Sequence, residues 1–420
     1  MSLKENGGSK PSRYRWVMIG MFWAGTLGVA LWSRSLGIML PSMTQELGLT
    51  PVQAGWLGSV SWLGMTFLSI AFSWWMSRYS AVKLMAASLF LGALFVFLHG
   101  RASDYATLLA TRILAVVAAL IERGPVRALL IQKWFPPREI AQVNGFSTCF
   151  ASGGVAVAVV LTPFLLVLLG GWRNTIYFMA AALFLVGIVW VLLAREREGW
   201  EGISTSTDGG TPLIVILKQR ALWLVGFGLF GSEVVWGAYL TFWPTYLVDT
   251  FAMPLATPGL LLGLFQVGIV GGAFFSGFLS EWIGRRKPIL HISGFALPLL
   301  CYSLLLTNSV SLLALLAVAS GLAWISFPIL NTIPYELPGM KPREIVVATA
   351  LVHTILTVGG ALGPLLVGVM YERTASLDLA LGVASLFGFL VFIASLFIPE
   401  TGRVAREAGK LEKATTRPTT

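Results

Sequence analysis

Side chains that do chemistry in water are scarce in this chain. Only 11% of its 420 residues are charged, and it has three histidines and two cysteines. The cysteines, Cys149 and Cys301, both fall in apolar stretches and offer neither a disulfide framework nor a thiolate metal centre, so helical packing is explanation enough for them. No Gly-rich phosphate loop, His/Asp cluster or nucleophile constellation occurs. That argues against an enzyme, against ATP-driven work, and against any metal or cofactor. Regular alternation of apolar and polar residues, the mark of a membrane β-barrel, is missing too.

What is present is long apolar runs. The chain is 56% hydrophobic with a mean hydropathy of +0.80, and a run of about 20 apolar residues crosses a bilayer as a helix. Reading spans between charged or turn-rich breaks predicts an all-α membrane protein of twelve transmembrane helices. They cover residues 15–42, 52–77, 82–99, 105–134, 142–169 and 174–194, then 221–249, 258–281, 288–306, 310–335, 344–371 and 376–398. Tyr14 to Met43 is too long for a signal-peptide core and reads as a retained first helix.

Lysine and arginine are unevenly distributed between the two sets of loops. One set, with both tails, holds Arg13, Arg15, Arg78, Lys83, Lys133, Arg138, Lys218, Arg220, Arg285, Arg286, Lys287, Lys341 and Arg343, whereas the other holds Arg101, Arg173 and Arg373. The positive-inside rule therefore predicts cytoplasmic termini in a multi-pass cytoplasmic (inner) membrane protein. The net charge of +10 is accounted for by this topology, so no nucleic-acid partner is expected; the partner is the lipid bilayer.

The chain repeats itself at about half its length. Pro137-Arg138-Glu139-Ile140 recurs as Pro342-Arg343-Glu344-Ile345 at an offset of 205, and Gly153-Gly154 as Gly359-Gly360 at 206. Pro41-Ser42 parallels Pro244-Thr245 at 203, and Lys83 matches Lys287 at 204. Such a repeat predicts two six-helix halves. The expected layout is a tail (1–14), an N-terminal half (15–194), a cytoplasmic linker (195–220), a C-terminal half (221–398) and a second tail (399–420). The linker contains the polar stretch Ser204 to Gly210, too hydrophilic to pack in a core.

Six charges lie inside apolar spans: Arg34, Arg112, Glu122, Arg123, Arg127 and Glu233. A charge in hydrocarbon costs at least a few kcal/mol, so these side chains are expected to face a watery interior or one another.

Gly277-Phe278-Leu279-Ser280-Glu281-Trp282-Ile283-Gly284-Arg285-Arg286 fits the G-x-L-x-(D/E)-x-x-G-R-R/K loop of the major facilitator superfamily, which the chain resembles over nearly its whole length. Its counterpart near Arg78 is degraded, with Ser77 and Ser80 in place of the acid and the glycine. The resemblance implies a cytoplasmic gate of Gly277, Glu281, Gly284, Arg285, Arg286 and Arg78. A finer resemblance, in Arg34, Leu40-Pro41, the turn Leu47 to Gln53 and Trp134-Phe135-Pro136-Pro137-Arg138-Glu139, is to the organic-anion branches, the anion:cation symporters and cyanate-type carriers. It implies that helices 1, 4, 7 and 10 line a cavity while 3, 6, 9 and 12 are outer scaffold. No acid or base is expected deep in the scaffold helices.

On this basis Arg34, Arg112 and Arg123 are candidate anion ligands, because a guanidinium makes bidentate charge-assisted bonds to a carboxylate. A structural ion pair or an interfacial arginine is the alternative for Arg34. Arg112, Arg123 and Arg127 fall on one helical face, flanked by Glu122. Trp236, Tyr239, Gln266 and Asn331 are candidate substrate contacts, although an aromatic lining is more often packing than ligand contact. Glu233, Glu122 and His353 are candidate proton-coupling groups, with a satisfied core histidine the competing reading for His353.

The expected function is a monomeric, proton-coupled symporter of a small organic anion, a carboxylate for preference, working by alternating access. A proton-driven exporter of amphipathic drugs or metabolites is the alternative, but the exporter signature G-x-x-x-G-P is absent from helix 5, where Pro163 lies far beyond Gly153-Gly154. A non-transporting sensor or membrane enzyme is the third reading, and no residue constellation supports it.

Overall fold

A computed structural model describes residues 13–76, 79–122, 126–196, 216–337, 340 and 342–404. Arg78, Arg123 and most of the expected linker and tails lie outside the described residues. Among those described there is no strand, and the helices fall into twelve rods that match the expected spans.

The rods are α1 (Tyr14–Arg34, resuming as Leu36–Leu47), α2 (Pro51–Met76), α3 (Ala81–Gly100), α4 (Tyr105–Ile121, resuming as Arg127–Trp134), α5 (Pro137–Leu169) and α6 (Trp172–Leu193). Then come α7 (Arg220–Phe251), α8 (Ala256–Ile283), α9 (Lys287–Ser303), α10 (Val310–Leu322 and Ser326–Glu336), α11 (Pro342–Thr374) and α12 (Leu377–Leu386 and Phe389–Phe397). Nine helices among the described residues are long and apolar enough to cross a membrane. Their outward faces carry bulky apolar side chains such as Phe274, Phe278 and Trp282, each 74–79% exposed. In water so large an apolar patch is untenable, whereas against lipid it is the natural surface.

Chain contacts divide the protein into two compact units. The first holds residues 1–34, 67–158 and 169–206; the second holds 35–66, 159–168 and 207–420. Portions of α1, α2 and α5 therefore share a unit with the last six helices.

In the first unit, α3 packs on α4 and α6 around Met85, Leu89, Leu183 and Trp190. Trp190 donates its indole N–H to Val82 O (2.9 Å), and Ser88 Oγ bonds Ala118 O (2.7 Å). Arg173 donates to Gly100 O (2.8 Å) and Ala102 O (2.7 Å), covering carbonyls that α3 leaves open at its end.

In the second unit α7 is central and packs closely against α11. Contact is close enough that a β-carbon on Gly37, in the second segment of α1, would stand 2.0 Å from Leu240 O. Ser59 Oγ donates to Ala361 O (2.6 Å), Thr66 and Thr357 hydroxyls pair at 2.8 Å, and Val52 N–H donates to Glu372 Oε2 (3.1 Å). These bonds fasten the first part of α2 to α11.

Candidate functional site

In the first unit the site is built around an interruption in α1. The helix stops at Arg34 and restarts at Leu36. Ser35 between them is fully buried, and within the second unit its hydroxyl lies 2.5 Å from Thr162 Oγ1. Ser35 keeps right-handed helical angles (φ −81°, ψ −5°) and its carbonyl accepts from Ile38 N (3.1 Å) and Met39 N (3.2 Å), so the rod is kinked there rather than opened. Arg34 itself is half-buried.

Arg112 of α4 approaches the same turn. Its side chain is 2% exposed, its guanidinium lies over the Trp32 ring at 5.6 Å, and Nη2 is 3.5 Å from Ser33 O. Arg112 thus docks on residues 32 and 33 of α1, next in sequence to Arg34. Behind Arg112 stands His99, also 2% exposed, with Nδ1 at 3.1 Å from Leu108 O and 3.2 Å from Thr111 Oγ1. A carbonyl only accepts, so Nδ1 carries the proton and Nε2 is a bare acceptor, with no hydrogen-bond partner among the described residues. This buried base stands in the last turn of α3, at the end of a scaffold helix rather than deep within it.

Glu122 is 1% exposed and has π-type geometry, as does Val126. Such turns occur often at functional sites. Arg123, the middle member of the expected arginine stripe, lies outside the described residues. Thr26 Oγ1 of α1 lies 2.5 Å from Glu122 Oε1 and 3.1 Å from Phe22 O. One hydroxyl proton serves one acceptor at a time. With Glu122 ionised, Thr26 donates to it; with Glu122 protonated, Glu122 donates to Thr26, which turns to Phe22 O. The pair accommodates both protonation states without moving heavy atoms.

The second unit holds the aromatic candidates. Trp236 stacks on Phe265 (5.7 Å, 23°) and meets Trp324 edge-on (6.3 Å). Trp324 lies in a 3₁₀ turn, Ala323–Ile325, that interrupts α10. Gln266 is 4% exposed, and among the described residues its Oε1 has no partner; nor does the indole N–H of the buried Trp243. Asn331 donates to Phe327 O (2.9 Å) within its own helix. Glu233, 6% exposed, lies in the unbroken α7.

Tyr239 departs from expectation. It is fully buried, donates to Cys301 O (2.7 Å) and shares a hydrogen bond with Ser385 Oγ (2.8 Å), so it ties α7 to α9 and α12. A hydroxyl so committed is structural. His353 lies on α11 with its surface accessible.

The gate loop is well organised in the second unit. Gly284 adopts φ +70°, the left-handed conformation that ends α8. Arg286 is buried and pairs with Glu336 at the end of α10. Glu400, just beyond α12, accepts from the N–H groups of Arg286 (2.8 Å), Lys287 (3.1 Å), Thr401 (3.1 Å) and Gly402 (2.9 Å). It therefore caps α9 from a distance of more than a hundred residues in the chain. Burial alone would raise its pKa, but these four backbone donors outweigh burial and hold the carboxyl below its ordinary value. Glu281 and Arg285 are exposed, and Gly277 faces open space. Sequence reasoning passed over Glu336 and Glu400; only the Pro399-Glu400-Thr401-Gly402 stop after α12 hinted at a capping group.

The family model described as Major Facilitator Superfamily matches residues 18–347. The chain belongs to the major facilitator superfamily. It is thus a multi-pass membrane transporter by family. The chain is 22% identical to a probable galactarate/D-glucarate transporter of Escherichia coli, over 86% of this chain and 88% of that protein. It is also 22% identical to a hexuronate transporter of Bacillus subtilis, over 91% and 93%. Among solved structures, a bacterial homologue of the human lysosomal transporter Spinster, inward-facing and unoccupied, superposes with a TM-score of 0.76 at 17% identity, covering 93% of this chain and 95% of that one. That likeness concerns the fold.

Proposed function

We propose that this facilitator is a secondary carrier of a small organic anion, a carboxylate, moved by alternating access of two six-helix halves and coupled to proton symport. The observation that carries the reading is the buried Arg112 docked on the α1 turn that ends in Arg34. A buried guanidinium is a strong carboxylate ligand, and Arg34 is the next candidate along α1. The relatives whose names refer to galactarate, D-glucarate and hexuronate, all carboxylates, support the same substrate class.

Coupling is assigned to Glu122, because its hydrogen bonding with Thr26 serves the carboxyl in either protonation state. Glu233 and His353 are the other candidates. The gate loop of Glu281, Gly284, Arg285 and Arg286 would lie at the cytoplasmic face together with both termini, and the monomer is the working unit. Uptake of a panel of sugar acids and simple monocarboxylates into proteoliposomes, with and without an inward proton gradient, tests this. Gradient-driven accumulation of at least one carboxylate is expected; accumulation of amphipathic cations instead would transfer the protein to the exporter class.

A further inference from the structure

At the end of α9 opposite the gate loop, a cavity of about 420 Å³ opens between α7, α9 and α12. Its walls include Leu299, Leu306, Leu379 and Leu386, each 48–67% exposed, so in a membrane they meet hydrocarbon. Its polar lining includes Tyr246, Tyr302 and Asp378. The Tyr246 hydroxyl is committed to Leu305 O (2.8 Å), whereas Tyr302 is 47% exposed. Asp378 stands in the first turn of α12, where Oδ1 accepts from Ser376 Oγ (2.6 Å). It is the single charged group lining the cavity.

We infer that this groove is a binding site for one phospholipid with an ammonium headgroup, its acyl chain along the leucines and its ammonium on Asp378. The groove demands an occupant that is apolar over most of its length and cationic at one end, and the surrounding membrane supplies such molecules at high concentration. An aminophospholipid also carries a phosphate, and the Tyr302 hydroxyl at headgroup level is placed to donate to it, the ordinary role of interfacial tyrosine. An anionic phospholipid would set its net charge against a carboxylate. The bound lipid would wedge α9 and α12 against α7, in the leaflet away from the gate.

The test is lipid retention by the full chain. The protein is reconstituted in bilayers of phosphatidylethanolamine and phosphatidylglycerol, re-extracted in mild detergent, and its retained lipid quantified by mass spectrometry. An exposed ion pair contributes up to about 1 kcal/mol, so phosphatidylethanolamine should be enriched about two- to fivefold over the bulk ratio. Asp378→Asn should return the ratio to bulk while the protein stays monodisperse. Leu386→Trp, which fills the groove and leaves the carboxylate in place, should lower the amount of retained lipid. Wild-type retention at the bulk ratio, enrichment of phosphatidylglycerol, or undiminished enrichment in either variant would overturn the assignment.

Discussion

Glu122 and Glu233 are both buried acids in apolar helices, exposed by 1% and 6%, yet their surroundings differ in kind. Glu122 sits in a π-type turn of α4 with a hydroxyl 2.5 Å away that accepts or donates as required. Glu233 lies within the 32-residue α7, where β-carbons on Gly231 and Gly237 would come within 2.3 Å of Phe387 O and 2.5 Å of Gly360 O. Backbone packed this closely on two sides resists local rearrangement. A group that trades protons between two solvent exposures needs a mobile or already interrupted backbone. Burial alone does not separate the two acids; the helix around each one does.

The largest effects should come from the arginines that define the first-unit site. Arg112→Lys keeps the charge but loses the planar stacking over Trp32 and the bidentate fork, and Arg34→Lys loses the fork. Each should cut carboxylate transport about 10- to 100-fold, the scale of one charge-assisted bond. Near-normal transport by either folded variant, measured as initial uptake into proteoliposomes, removes that arginine from the anion site.

Next in size is the carboxylate comparison itself. Glu122→Gln mimics the protonated acid, so gradient-driven accumulation should vanish while substrate exchange across the membrane survives. Glu233→Gln should still concentrate substrate. The opposite pattern would move the proton site to α7; accumulation by both would point to His353 or another ion.

A smaller effect is expected at the gate. Glu400→Ala removes the acceptor that caps α9, a loss of about 1 kcal/mol in stability, read as a lower melting temperature. The folded carboxyl titrates below its ordinary value, so its contribution is complete above the unfolded carboxylate pKa and lost as pH falls through the lower, folded one. The gap between wild type and variant should therefore be constant near neutrality and close only in acid. A gap that widened in acid would mean that Glu400 acts some other way.

Smallest is Tyr239→Phe. The bond to Cys301 O is lost outright, at a cost of about 0.6 kcal/mol in a membrane bundle, while Ser385 Oγ keeps its bond to Leu381 O (2.9 Å); substrate preference should not change. A changed preference would return Tyr239 to the ligand site and weaken the contrast between a chemically active first unit and a packed α7.

Much of the architecture was legible without coordinates. All twelve expected spans correspond to helical rods, and the signature Gly277 to Arg286 lies across the α8–α9 turn. The interior arginines and acids were also found from sequence, because a charge in an apolar run is conspicuous. Their relations were not legible. Neither the meeting of Arg112 with Trp32 and Ser33 nor that of Glu122 with Thr26 follows from any spacing, since the partners are 79 to 96 residues apart.

Hydropathy summed over a span is a local property that no partner can alter, so the sequence alone determined that this is a helical membrane protein and where its chain crosses. Which charges converge, which hydroxyls are already committed, and where a helix breaks are settled by atoms distant in the chain. Tyr239 and Glu400 make the distinction concrete. As sequence, one resembles a ligand contact and the other a tail residue; only tertiary packing, which must satisfy every buried donor and acceptor, made the first a tie between helices and the second the cap of α9.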